Sequence, residues 1–192
     1  ATITKWDLNT GAFAGLIADY NAFTNGDMPN AIVRYGANRL LVAVENASGR
    51  RLDVMNLDGT GLTTYLTNST ALSAALRNIT VLSDLSVLIT KATAIEKFTA
   101  AGSRVVQGAA AFINAPAAPC SLSTTAMTST TVLPSGKIVY THAAASPNNR
   151  TAVISSTGYA IAANCLNSQA APVTTALPTA TVYEPLSGKL LV

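Results

Sequence analysis

The chain has 192 residues, of which 49% are hydrophobic and only 11% charged, with a formal net charge of +3. That length suits one domain, and so little charge beside so much apolar content excludes an intrinsically disordered chain. Polar residues interrupt every window of about 20, so no helical membrane insertion is expected, and no basic run exceeds Arg50-Arg51, so no nucleic-acid partner is expected either.

In chain order, the first strand-turn-strand signal is TITKWDLNTGAFAGLI, with its turn at Gly11. AIVRYGANRLLVAVE follows around Gly36, and RLDVMNLDGTGLTTYL around Gly59. NITVLSDLSVLITK turns at Asp84, AIEKFTAAGSRVVQGA at Gly102, TTVLPSGKIVYTHA at Gly136, TAVISSTGYAIAAN at Gly158 and ATVYEPLSGKLLV at Gly188. Each is a hairpin candidate, with short β-rich runs on both sides of turn residues.

The hairpins fall into two interleaved series, each recurring near the period of about 40 to 50 residues of four-stranded propeller blades. Two hairpins per period make four antiparallel strands, predicting complete units near 31–66, 78–109 and 128–163. A half-unit at 1–16 and another at 180–192 remain. Joined as one split blade, they would close a single domain, 1–192, into a small all-β propeller of about four blades and leave no bare strand edge. A β-sandwich of the same hairpins is the alternative fold. Closure between two chains, or membership of a larger propeller, are the alternative assemblies.

The stretch RLDVMNLDGTGL, Arg51 to Leu62, resembles the repeat of TolB-type bacterial propellers, in which a strand ending in Asn-Leu-Asp-Gly-Thr-Gly turns back into the outer strand. The resemblance covers one blade. It implies a propeller and carries over no functional residue.

No cofactor or metal is expected. His142 is the single histidine, and neither Asn25-Gly26-Asp27 nor Asn56 to Gly61 completes a calcium loop. No Gly-x-Ser-x-Gly elbow occurs. Glycosidase chemistry needs two facing carboxylates, and none stand close in sequence, although a propeller could bring them together from separate blades.

The connections between units are long and carry aromatic rings beside amides and carboxylates, a combination suited to stacking on sugars or peptides and hydrogen-bonding their edges. Tyr20, Phe23 and Asp27 in the first connection and Phe112 and Asn114 in the third are therefore the expected ligand contacts. Plugging the gap between blades is the alternative role for the aromatic residues. Cys120 and Cys165 match no zinc or redox motif, and a disulfide between them is expected, each placed in a loop between units.

After Arg104 only Lys137, Arg150, Glu184 and Lys189 carry charge, so that half is kept soluble by Thr, Ser and Asn, a composition suited to an extracytoplasmic setting. The chain begins without Met and without a leader-like segment, as a mature product or an excised piece would. The expected function is a non-catalytic binding or adhesion module for a glycan or protein surface. A glycan-processing enzyme and a structural spacer are the alternatives.

Overall fold

A computed structural model of the chain describes residues 1–20, 26–47, 49–67, 72, 76–92, 94–105, 127–142, 150–155, 160–167 and 180–191. Phe23, Phe112, Asn114 and Cys120 lie outside the described residues. The described residues are strands and turns, all strand pairing is antiparallel, and the chain divides into two compact units, Ala1–Ser73 and Ala74–Val192.

In the first unit, β1 (Thr2–Trp6) and β2 (Phe13–Asp19) form a two-stranded sheet. A four-stranded meander follows: β3 (Met28–Tyr35), β4 (Arg39–Asn46), β5 (Gly49–Asn56) and β6 (Thr63–Thr67), in that order. Ile3, Ile17 and Ala18 of the hairpin pack on Leu40, Val42, Val44 and Met55 of the meander, with Tyr20 and Leu62 completing the cluster.

The second unit repeats the plan. β7 (Leu76–Val81), β8 (Val87–Lys91), β9 (Ile95–Phe98) and β10 (Arg104–Val105) make one meander. β11 (Met127–Val132), β12 (Ile138–His142), β13 (Arg150–Ile154) and β14 (Ala160–Asn167) make the next. β15 (Val182–Glu184) and β16 (Lys189–Leu191) form a closing two-stranded sheet. Leu82, Leu88 and Ile95 of one meander bury themselves against Met127, Ile138, Tyr140 and Ile154 of the next. All eight hairpins read from the sequence are thus present as antiparallel pairs.

A repeating set of hydroxyl contacts joins the first strands of successive sheets in this unit. Asn78 and Thr80 of β7 bracket Thr130 of β11: Thr130 N–H donates to Asn78 Oδ1 at 3.3 Å, and Thr80 Oγ1 donates to the Thr130 carbonyl at 2.9 Å. One sheet further on, Ser129 and Thr131 bracket Thr181 identically: Thr181 N–H donates to Ser129 Oγ at 3.1 Å, and Thr131 Oγ1 to the Thr181 carbonyl at 2.6 Å. The repeat in chemistry is closer than the repeat in residue identity, because Asn and Ser both supply the acceptor oxygen.

Cys165 departs from the sequence reading. It lies within β14, opposite Ala152 of β13, rather than in a loop. The strand continues to Asn167, which pairs through its backbone with Arg150 as readily as Val or Ile would.

The turn between β5 and β6 is held against β2. Gly59 has φ of 86°, and a Cβ built there would stand 1.6 Å from the Ile17 carbonyl oxygen, whereas at Gly11, φ 68°, nothing lies within 4 Å. Gly11→Ala should therefore cost only the left-handed backbone strain, about 1–2 kcal/mol, and Gly59→Ala about 3 kcal/mol or more. Urea unfolding of the two variants measures this, and equal costs would contradict the close approach of the turn to β2.

Candidate functional site

A four-stranded antiparallel meander begins its first strand and ends its last at the same end. The inter-sheet connections and the links between second and third strands therefore share one end of each sheet, and the tight turns share the other. The acidic side chains sort accordingly. Asp7, Asp58, Asp84 and Glu184 sit in the tight turns and accept turn N–H groups: Asp7 Oδ1 from Thr10 at 2.9 Å and Asn9 at 2.8 Å, and Glu184 from Leu186 and Ser187. Hydrogen bonds from turn amides and hydroxyls hold all four carboxyls below their ordinary values. They are turn braces, as Asp usually is in such places.

The connection end of the 28–67 sheet carries different chemistry. Arg51, on β5, reaches Asp27 Oδ2 with Nη2 at 2.5 Å and both oxygens of Asp53 with Nε at 2.9 and 3.0 Å. Asn46 Nδ2 donates to Asp27 Oδ1 at 2.6 Å, and Thr64 Oγ1 to Asp53 Oδ1 at 3.3 Å. Both carboxylates are buried, at 4% and 1% exposure. The Arg51 hydrogen bond outweighs burial at Asp27 and lowers its pKa, with Asn46 assisting. At Asp53 burial prevails over Arg51 and pushes the carboxyl up. Tyr20 packs beside them with its phenol pKa raised, first by burial and then by the Asp53 charge. Nearer solvent, Arg50 pairs with Glu45 at 2.8 Å and donates through Nη1 to the Leu72 carbonyl at 3.2 Å.

The 76–105 sheet places Glu96 where the first meander has Asp53. In the two turns, Asn56 N–H bonds the Thr60 carbonyl and Thr99 N–H the Ser103 carbonyl, and each carboxylate lies three residues before that turn residue. Glu96 is held by Lys91 Nζ through Oε1 and by Arg104 Nε at 3.1 Å through Oε2. In the third meander Ala152 falls at this place, so the buried carboxylate is a feature of two sheets.

Of the predicted contacts, Tyr20 and Asp27 come together in one cluster, but as buried ties of the scaffold. Tyr20 is fully buried, and its ring offers no face to solvent. His142 ends β12 opposite Arg150 of β13. Among the described residues no three His, Cys, Asp or Glu side chains come together as a metal site. Sequence reasoning missed Arg51 and Asp53. The available signal was Arg51-Leu52-Asp53, where residues two apart on a strand share a face and opposite charges there form a pair.

A separate apolar cleft of about 380 Å³ opens in the second unit between β12–β13 and the closing hairpin. It is lined by Leu133, Pro134, Val139, Val153, Tyr183 and Leu190, among others.

No protein-family model and no curated protein sequence matches the chain. Among solved structures it is similar to a luciferin-regenerating enzyme, with 11% identity and a TM-score of 0.57 over 95% of this chain. The chain spans 59% of the length of that neighbour. At that identity the likeness is one of fold.

Arg51→Ala would strand two buried carboxylates and should cost about 3–5 kcal/mol in stability. The carboxylates should respond to pH with opposite signs. Asp27, with its pKa lowered by folding, contributes stability above the unfolded value of about 3.9 that is lost as pH falls through the folded value. Asp53, with its pKa raised, favours the folded state below that unfolded value and loses its contribution as pH rises through the folded one. In urea titrations at pH 7 and pH 3, the stability gap between wild type and Asp27→Asn should shrink on acidification, while the gap to Asp53→Asn moves the other way. Parallel behaviour of the two variants would refute the assignment.

Proposed function

We propose that the sheets are blades of a β-propeller and that the protein is a non-catalytic, extracytoplasmic binding or adhesion module, which engages a glycan or protein surface through its inter-sheet connections. The observation that carries this reading is the division of labour at the connection end. The buried Asp27–Arg51–Asp53 cluster ties the start of β3 to β5 and so fixes the rim from which the first connection leaves. The sequences that depart from such rims contain Phe23, Asn25, Phe112 and Asn114, which are ring and amide groups on a rigid base.

The carboxylates speak against the enzyme alternative. Asp27, Asp53 and Glu96, the buried acids among the described residues, are each paired with Arg or Lys, and the turn acids are spent on backbone amides. None of these is free to serve as a general acid or base. The likeness to the luciferin-regenerating enzyme supports the sheet scaffold and brings no chemistry with it. A Cys120–Cys165 disulfide, closing the third connection onto β14, belongs to the same reading and to an oxidising compartment. Mass measurement after thiol blocking without reductant should show no free thiol.

The test of function is a glycan array and a panel of extracellular proteins probed with wild type and with Phe23→Ala/Phe112→Ala. Each ring that stacks on a ligand should be worth roughly 0.5–1.5 kcal/mol, so the double variant should bind about five- to hundredfold more weakly while its melting temperature stays close to that of wild type. Binding that survives the double variant would move the site elsewhere, and turnover of a chromogenic glycoside would revive the enzyme.

A further inference from the structure

The tight turn that frames the apolar cleft differs from its counterpart one sheet earlier. Residues 82–86 and 133–137 close in the same way: Leu82 N–H bonds the Ser86 carbonyl at 2.9 Å and Leu133 N–H the Lys137 carbonyl at 2.9 Å, while Leu85 and Gly136 N–H return to the Leu82 and Leu133 carbonyls. Ser135 stands where the earlier turn has Asp84, Gly136 where it has Leu85 and Lys137 where it has Ser86. In the earlier turn Ser86 is 3% exposed and its N–H bonds Asp84 at 2.9 Å, and Leu85 holds a left-handed backbone with φ of 63°. The later turn has neither the acid nor the leucine side chain, and a cation stands exposed at the place of a buried hydroxyl.

That cation belongs to the cleft. Residues two apart on a strand share a face, and Lys137 stands two before Val139, whose partner across the ladder is Val153. Both valines and Leu133 line the cleft from this side, and Leu190 lines it from the closing hairpin. The polar groups gather at the turn end. Ser135 is an exposed turn residue, and a Cβ built on Gly188 would stand 3.9 Å from the Tyr183 hydroxyl, which sets that hydroxyl at the hairpin turn. The cleft therefore has an apolar floor and a mouth of two hydroxyls and an ammonium group.

No carboxylate answers Lys137. The second unit has three acids, Asp84, Glu96 and Glu184. Asp84 belongs to the earlier turn, and Glu96 is paired with Lys91 and Arg104. Glu184 accepts the Leu186 and Ser187 N–H groups and, as the neighbour of Tyr183 on β15, lies on the opposite face. Lys137 makes no ion pair among the described residues.

We propose that this cleft is a binding site for a small organic anion, with the apolar body of the ligand against Val139, Val153 and Leu190 and its carboxylate or sulfonate at Lys137, Ser135 and Tyr183. The volume of about 380 Å³ lies within the range of roughly 300–1,000 Å³ of small-molecule sites, which combine an apolar lining with a few polar groups that orient the ligand. A compact ammonium on a flexible stem suits a single acid group that need not be held bidentately. The site lies at the tight-turn end and does not rest on what the connections bind.

The test uses two fluorescent probes, anilinonaphthalene sulfonate and its uncharged analogue phenylnaphthylamine, which share an apolar body and differ by the acid group. Titration should show a single sulfonate probe bound per chain, more tightly than the analogue and less tightly as salt is raised. Lys137→Ala should weaken the sulfonate about two- to fivefold and remove the salt effect, while leaving the analogue unchanged. Lys189→Ala, at the same end but on the face away from Leu190, should change neither. Ser135→Phe, at an exposed turn position, should obstruct the mouth and weaken both probes, with a circular dichroism spectrum and melting temperature like those of wild type. Equal affinity for the two probes, or sulfonate binding indifferent to Lys137→Ala, would overturn the anion assignment. No binding of either probe, or binding undiminished in folded Ser135→Phe, would overturn the site.

Discussion

Strands buried on both faces are the constraint from which the rest of this structure follows. Most antiparallel sheets keep one face wet, and their sequences alternate between apolar and polar residues. Here β8 is buried at all five positions, Val87 through Lys91, and in β12 Ile138, Val139, Tyr140 and Thr141 are buried in succession. A sheet of this kind needs cover on both faces, so the chain has to supply more than one sheet. The low charge content is the compositional trace of that arrangement, because a two-faced strand has nowhere to put a solvated Lys or Glu except at its ends.

The same constraint explains the polar groups that are found inside. Between the first strands of its sheets the second unit places hydroxyls and one amide, and Thr80, Thr130, Thr131 and Thr181 satisfy each other and the adjacent carbonyls, while its buried Glu96 is paired with Lys91 and Arg104. The first unit buries Asp27 and Asp53 around Arg51. The planar guanidinium serves two carboxylates at once through different nitrogens, which a lysine could not do with the same geometry. An ion cluster of this type brings little net stability against an apolar replacement. Its retention at the rim of the connection end fits a positioning role, since it fixes the angle at which the chain enters β3.

Strand pairing was legible in the sequence because it depends on local chemistry. Asp58-Gly59, Gly102 and Gly136 mark turns whose backbone only such residues adopt readily, and the β-rich runs on each side can pair in few ways. The site was less legible, and for a physical reason. Tyr20 reads as a loop aromatic beside Asn21, but whether a ring near a strand end faces solvent or folds back is decided by neighbours distant in sequence, here Val42, Val44 and Met55. Arg51 and Asp53 were passed over inside a motif read for its turn. Their role appears only when Asp27, more than twenty residues earlier, is set beside them. Cys165 was placed in a loop because polar Asn residues surround it, whereas ladder pairing uses the backbone and tolerates them.

Meander polarity gives the two ends of each sheet separate duties. The four tight turns that hold an acidic side chain, at Asp7, Asp58, Asp84 and Glu184, engage it with their own amides. At the opposite end the sheets carry cations and acids in pairs, Glu45 with Arg50 and Lys91 with Glu96. Sequence change in a strand therefore alters whether a face is covered. In this chain the Arg51 cluster sits at the connection end of its sheet, with its guanidinium on a strand of the core and its Asp27 partner at the residues that lead into β3.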